Sequence, residues 1–158
     1  MSIRKISLAL IAVMLGISLS IVAANDPFIG TWKLNQAKSK FDPGPAPQNI
    51  THTYEPFDGD GMKITTVTVS ANGKESTRTY TEKFDGKEYP EPNDPGRDVV
   101  SIKRMNPSRH EGIGKLHGVI TAHFSRQISP DGKTMTIVTD GTTPEGKPKH
   151  DIRVFDKQ

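Results

Sequence analysis

Two arginines raise the first chemical question. Alternation along Lys74–Phe84 puts Ser76, Arg78, Tyr80, Glu82 and Phe84 on one face of an extended segment. Along Val119–Ser129 the same rule groups Ile120, Ala122, Phe124, Arg126 and Ile128. These faces hold the large apolar residues and are expected to point inward, carrying Arg78 and Arg126 with them. A buried guanidinium is costly unless a negative group meets it. Either each arginine sits at a strand end and reaches solvent, or one pairs internally with Glu82, or the guanidinium groups line a partly polar lumen. In the last case their planar forks suit the carboxylate of an anionic ligand head. The residues expected to bind a ligand in such a lumen are Tyr54, Arg78, Tyr80, Phe124 and Arg126.

Other reactive groups are scattered. The five histidines, His52, His110, His117, His123 and His150, include no His-x-His pair, and no cysteine assists them, so no metal site is assigned. His52 stands apart because Ile50 and Tyr54 share its face. Nucleophile-elbow, phosphate-loop and dinucleotide patterns are missing. Glu82 is the one carboxylate placed for proton transfer; no catalytic residue and no cofactor are assigned.

The elements that must position these residues are short and extended. Asn-Gly and Asp-Gly pairs at 72–73, 85–86 and 131–132 separate alternating, threonine-rich runs, as hairpin turns do. The strands expected are Phe28–Leu34, Asn49–Glu55, Met62–Ser70, Lys74–Phe84, Asp98–Met105, Arg109–Lys115, Val119–Ser129, Lys133–Thr139 and His150–Asp156, with a short piece at Lys87–Tyr89. Met62 and Ile64 are out of phase with Val67 and Val69, which predicts a bulge near Thr65-Thr66. Residues 35–48 and 89–97 are proline-rich and read as loops, with one helical turn within Gln36–Lys40. Regular hairpin spacing predicts an all-β protein, a single antiparallel up-and-down β-barrel of 8–10 strands in preference to a sandwich.

The first stretch reads as a signal peptide. Arg4 and Lys5 precede the uncharged apolar run Ile6–Val22, and Val22-Ala23-Ala24 offers a cleavage site. Residues 1–24 are therefore expected to be removed, leaving 25–158 as one domain. The competing reading is an uncleaved membrane anchor. Without cysteine the chain has neither a lipobox nor disulfides, which fits a bacterial periplasmic or secreted protein. Arg4 and Lys5 account for two of the 21 basic residues, so the rest exceed the 18 acidic residues by one. That balance gives no basic face for nucleic acid.

Gly30-Thr31-Trp32-Lys33-Leu34, holding the single tryptophan, resembles the first-strand Gly-x-Trp pattern of the calycins: lipocalins, fatty-acid-binding proteins and avidins. Asp151–Lys157 is similar to the closing strand of fatty-acid-binding proteins, with Phe155 where that family has a tyrosine. The resemblance implies a lipocalin-like barrel with first and last strands adjacent, and Gly30, Trp32 and Arg153 as structural markers. It offers Arg153 two roles. As in lipocalins, it would lie across Trp32 and seal the base. As in fatty-acid-binding proteins, it would point into the lumen toward a ligand carboxylate. The function expected is a monomeric, exported binding protein for a small hydrophobic or amphipathic molecule, anionic ones included, with no stable membrane insertion after cleavage. The alternative is a filled barrel acting on a partner through its proline-rich loops. Amino-terminal sequencing of the exported protein is expected to start at Asn25; a chain still beginning at Met1 would establish the anchor.

Overall fold

The computed structural model describes residues 26–158. The leader assigned to residues 1–24 lies outside the described residues. Eleven strands form, rather than eight to ten: β1 Gly30–Leu34, β2 Lys40–Asp42, β3 Asn49–Phe57, β4 Gly61–Val69, β5 Glu75–Glu82, β6 Asp85–Pro90, β7 Val99–Asn106, β8 Arg109–Leu116, β9 Val119–Ile128, β10 Thr134–Thr142 and β11 Pro148–Lys157. All pairings are antiparallel, in the order β5-β4-β3-β1-β11-β10-β9-β8-β7-β6. The up-and-down barrel is nearly closed. Among the described residues no ladder joins β5 to β6, so a seam runs between the two ends of the sheet.

The extra strand, β2, comes from the length of β11. β1 pairs with β11 only over Trp32–Leu34, opposite Phe155–Lys157. The chain then makes a 3-10 turn at Gln36–Lys38, capped by the Asn35 side chain, which accepts from the Lys38 amide at 3.1 Å. It returns to β11 at Lys40–Asp42, opposite His150–Ile152. The Ser39 hydroxyl accepts from the Val154 amide at 2.9 Å between the two contacts. A first strand in two pieces thus covers one long partner.

Three expectations at the strand level change. The first strand begins at Gly30, not Phe28, because Asp26 starts a turn: its carbonyl accepts from the Ile29 amide at 3.0 Å, and its carboxylate accepts from the Phe28 amide at 3.0 Å. Gly30, at φ 128°, then redirects the chain into the sheet. The bulge near Thr65-Thr66 is not there, since β4 keeps one register against both neighbours. Thr66 points inward with Met62 and Ile64 and meets the His52 ring, which leaves Val67 and Val69 on the outer face. Register shifts fall elsewhere, between β6 and β7, between β7 and β8, and in β9, where Gly114 faces Ala122 but Lys115 faces Ile120. Thr121 is the extra residue, and it turns Ile120, expected on the inner face, out to 48% exposure.

The two ends of the barrel differ. At the base Phe28, Trp32, Phe84, Met135 and Phe155 are buried. Trp32 Nε1 donates to the Phe28 carbonyl at 2.8 Å, which holds Phe28 beneath the sheet. Arg104 stacks over Phe84 at 4.5 Å and pairs with Asp26 at 2.7 Å, closing the base from outside. The expected Arg153–Trp32 contact does not form: Lys157, directly opposite Trp32 in register, lies 4.9 Å from its ring, and Arg153 turns inward. The other end is the mouth, ringed by turns 70–74, 91–98, 117–118 and 143–147.

His110 completes the base as an aromatic plate between Phe28, at 4.0 Å, and Phe84, at 4.1 Å. Neither ring nitrogen has a partner, and burial pushes its pKa down to about 2, with Arg126 and Arg104 adding to the shift. The folded ring is therefore neutral, while the unfolded ring takes a proton near pH 6.5. Its contribution is full above that value and falls with pH, by about 1.4 kcal/mol per unit. His110→Phe is expected to gain about 1 kcal/mol at pH 7.5 by removing the orphaned nitrogens. It should also flatten the acid slope by one proton. Urea unfolding between pH 5 and 8 measures both, and an unchanged slope would show that His110 does not titrate on unfolding.

Candidate functional site

The barrel interior is charged, and its charges are matched in layers. Lowest is Arg126 on β9, 4% exposed, facing Glu82 on β5 across the lumen. Arg126 Nη1 donates to Glu82 Oε1; Nη2 reaches Glu82 Oε2 at 3.3 Å and the Tyr80 hydroxyl at 3.2 Å. The guanidinium also lies 5.7 Å from the Tyr54 ring and 5.2 Å from Phe124. Burial pulls against both charges. Burial raises the Glu82 pKa, while for Arg126 the nearby Glu82, with Tyr54 and Tyr80, together outweighs burial and holds the cation well above its usual range.

Four of the five residues expected to bind ligand, Tyr54, Tyr80, Phe124 and Arg126, thus surround one internal ion pair. Arg78 belongs to a second layer. It reaches up to the loop after β6 and pairs with Glu91 at 3.3 Å and with Asp94. Arg97 closes the same cluster, donating from Nη2 to Glu91 Oε1 at 2.8 Å and from Nε to Oε2. Its guanidinium rests 5.5 Å from Phe124. Because Arg78 is on β5 and Glu91 follows β6, these pairs cross the seam that the sheet leaves open. Neither arginine projects freely to solvent. Glu82, expected near Arg78 on one strand face, is paired with Arg126 instead.

Arg153 on β11 stands apart. Its Nη2 donates to the Thr139 hydroxyl at 2.7 Å, and its buried Nε has no protein partner. Burial lowers its pKa, whereas the carboxylate beside Arg97 raises that of its neighbour. His52 lies in the same region. Nδ1 bonds the Thr66 hydroxyl at 2.8 Å, Nε2 is unpartnered, and burial and then Arg153 push its pKa well down, so the ring is neutral.

Space in the barrel is divided unevenly. The deep gap bordered by His52, Tyr54, Tyr80, Glu91, Arg126 and Arg153 measures about 30 Å³, roughly one water's share of liquid volume. The mouth pocket above it measures about 330 Å³ and is lined by Arg78, Asp94, Arg97, Thr139, Lys149 and Arg153, among others. Tyr54, Tyr80, Phe124 and Arg126 fill the space they were expected to line, and the room lies one layer higher, where Arg78 borders it. The sequence reading did not assign Glu91, Asp94 and Arg97, because their loop has no strand periodicity. The available signal was two carboxylates set between prolines, with an arginine just after them, in a loop beside inward arginines.

No protein-family model matches this chain, and no curated protein does. Solved structures do. A side-chain variant of the fluorescent protein UnaG superposes with TM-score 0.60 at 15% identity, covering 84% of this chain and 96% of that one. Wild-type UnaG gives 0.58 at 15% identity, covering 83% and 97%. The zebrafish ileal bile acid-binding protein, complexed with cholic acid, gives 0.51 at 13% identity, covering 84% and 99%. The fold is calycin-like, of the kind that fatty-acid-binding proteins share.

The Glu82–Arg126 pair is open to a double-mutant test. Removing one partner from a buried pair costs about 3–5 kcal/mol, whereas replacing both with apolar groups costs little. Glu82→Met and Arg126→Met are each expected to lose that much in denaturant unfolding, and the double variant less than either. Strictly additive losses would mean that the two charges do not stabilise each other.

Proposed function

We propose that this is an exported, monomeric small-molecule carrier of a bacterial periplasm or exterior. It takes a hydrophobic or amphipathic ligand with an anionic head at the barrel mouth. One observation carries the reading: Arg153 stands on the floor of a pocket of about 330 Å³ with only a hydroxyl as partner, while the other interior arginines have carboxylates. A guanidinium held this way is a ready donor to an incoming oxyanion. The barrel likeness to a protein solved with cholic acid supports a small organic ligand. Export rests on the leader pattern at residues 1–24.

The small deep gap favours one other reading, a filled barrel that acts on a partner through loops 35–48 and 89–97. Titration with the fluorescent probe anilinonaphthalene sulfonate separates the two. A carrier should bind one equivalent, and Arg153→Met should weaken binding about tenfold or more, the scale of a lost charged hydrogen bond. Lys63→Ala, on the outer face, should leave it unchanged. Saturable binding that survives Arg153→Met at full strength, or no binding at all, would rule out the mouth site.

A further inference from the structure

Among the described residues, charges lining the mouth pocket and the layer beneath it pair off with one left over. Arg78 and Arg97 are met by Glu91 and Asp94, Lys149 is met by Asp151 at 3.2 Å, and Arg126 is met by Glu82. Arg153 is the remaining cation. The two loop carboxylates are not equivalent. The Glu91 side chain is fully enclosed and borders only the deep gap, whereas Asp94 lines the mouth pocket and keeps 16% of its side-chain surface. A ligand entering the mouth meets Asp94.

The loop is built to hold that carboxylate in place. Asp94 Oδ1 accepts from the Gly96 amide at 2.8 Å, and the Thr121 hydroxyl donates to the Gly96 carbonyl at 2.7 Å. Oδ2 pairs with Arg78 and lies 3.7 Å from Arg97 Nε. Burial works against the Asp94 charge, but Arg97 and Arg78 outweigh it and hold the carboxyl below its ordinary range. At neutral pH the pocket wall therefore carries a fixed negative charge, and two of its three arginines are already occupied.

We propose that Asp94 is a specificity-determining residue of the mouth: with Glu91 it neutralises the Arg78–Arg97 pair, and it rejects ligands whose head group carries a second negative charge. This rests on the mouth being an anion site, as proposed above. Like charges brought together at a binding surface oppose association strongly. With Asp94 made neutral, the pocket offers Arg78, Arg97 and Arg153 against Glu91 alone, a setting suited to a dianion.

Two ligands with the same ring system test this: naphthalene-1-sulfonate, with one charge, and 1-naphthyl phosphate, whose second proton is lost near pH 6. Calorimetry at pH 8 is expected to show wild-type protein preferring the sulfonate by about tenfold or more. Asp94→Asn should erase or invert that preference, and Asp94→Glu should keep it. Asp94→Ser supplies a second neutral variant should Asp94→Asn fail to fold, with circular dichroism checking each. Equal affinities in the wild type, or folded neutral variants that retain its preference, would overturn the role of Asp94 and leave the anion site standing. Failure of the wild type to bind either ligand would overturn the site and this inference together.

Discussion

A guanidinium taken out of water is costly unless a negative group meets it, and the layout of this barrel follows from that cost. Arg126 sits at mid-height in the lumen and draws Glu82 across from the opposite wall, with Tyr80, Tyr54 and Phe124 packed around the pair. The volume they take would otherwise be open lumen. Once they fill it, the usable space moves up to the mouth, where the next layer of arginines forms the floor.

The same cost bears on the seam. A barrel whose end strands do not hydrogen-bond leaves two unpaired edges, a liability in a chain made almost wholly of strands. Here side chains bridge the gap: Arg78 on one edge holds Glu91 and Asp94 beyond the other.

Much of the wall was legible in the sequence, because period-two alternation is a property of each strand by itself. Ile50, His52 and Tyr54 face inward as expected, as do Tyr80, Glu82, Phe124, Arg126, Met135 and Ile137. The hairpin turns at Asn72-Gly73 and Asp131-Gly132 likewise follow from local glycine chemistry, whereas Asp85-Gly86, expected as a third, lies inside β6, which forms no ladder with β5 among the described residues. What was not legible depended on partners far apart in the chain. That Glu82 would choose Arg126 over Arg78 depends on which walls face each other, not on spacing. β2 exists because β11 outruns β1, a mismatch of lengths that no window around Lys40–Asp42 reveals. The role of Arg153 turned on one register: Lys157 falls opposite Trp32 and occupies its face, freeing Arg153 for the interior. The residues of 91–98 gave no periodic signal, and their placement is set by the arginines that they meet.

The turn at Asp26, pinned by Arg104 and by Phe28 under the sheet, has a directional consequence. It fixes where the polypeptide leaves the barrel: at the pole farthest from the pocket. The foot of the barrel and its opening are therefore separate regions: Asp26, Phe28 and Arg104 brace one pole, while Asp94, Arg97 and Arg153 line the other.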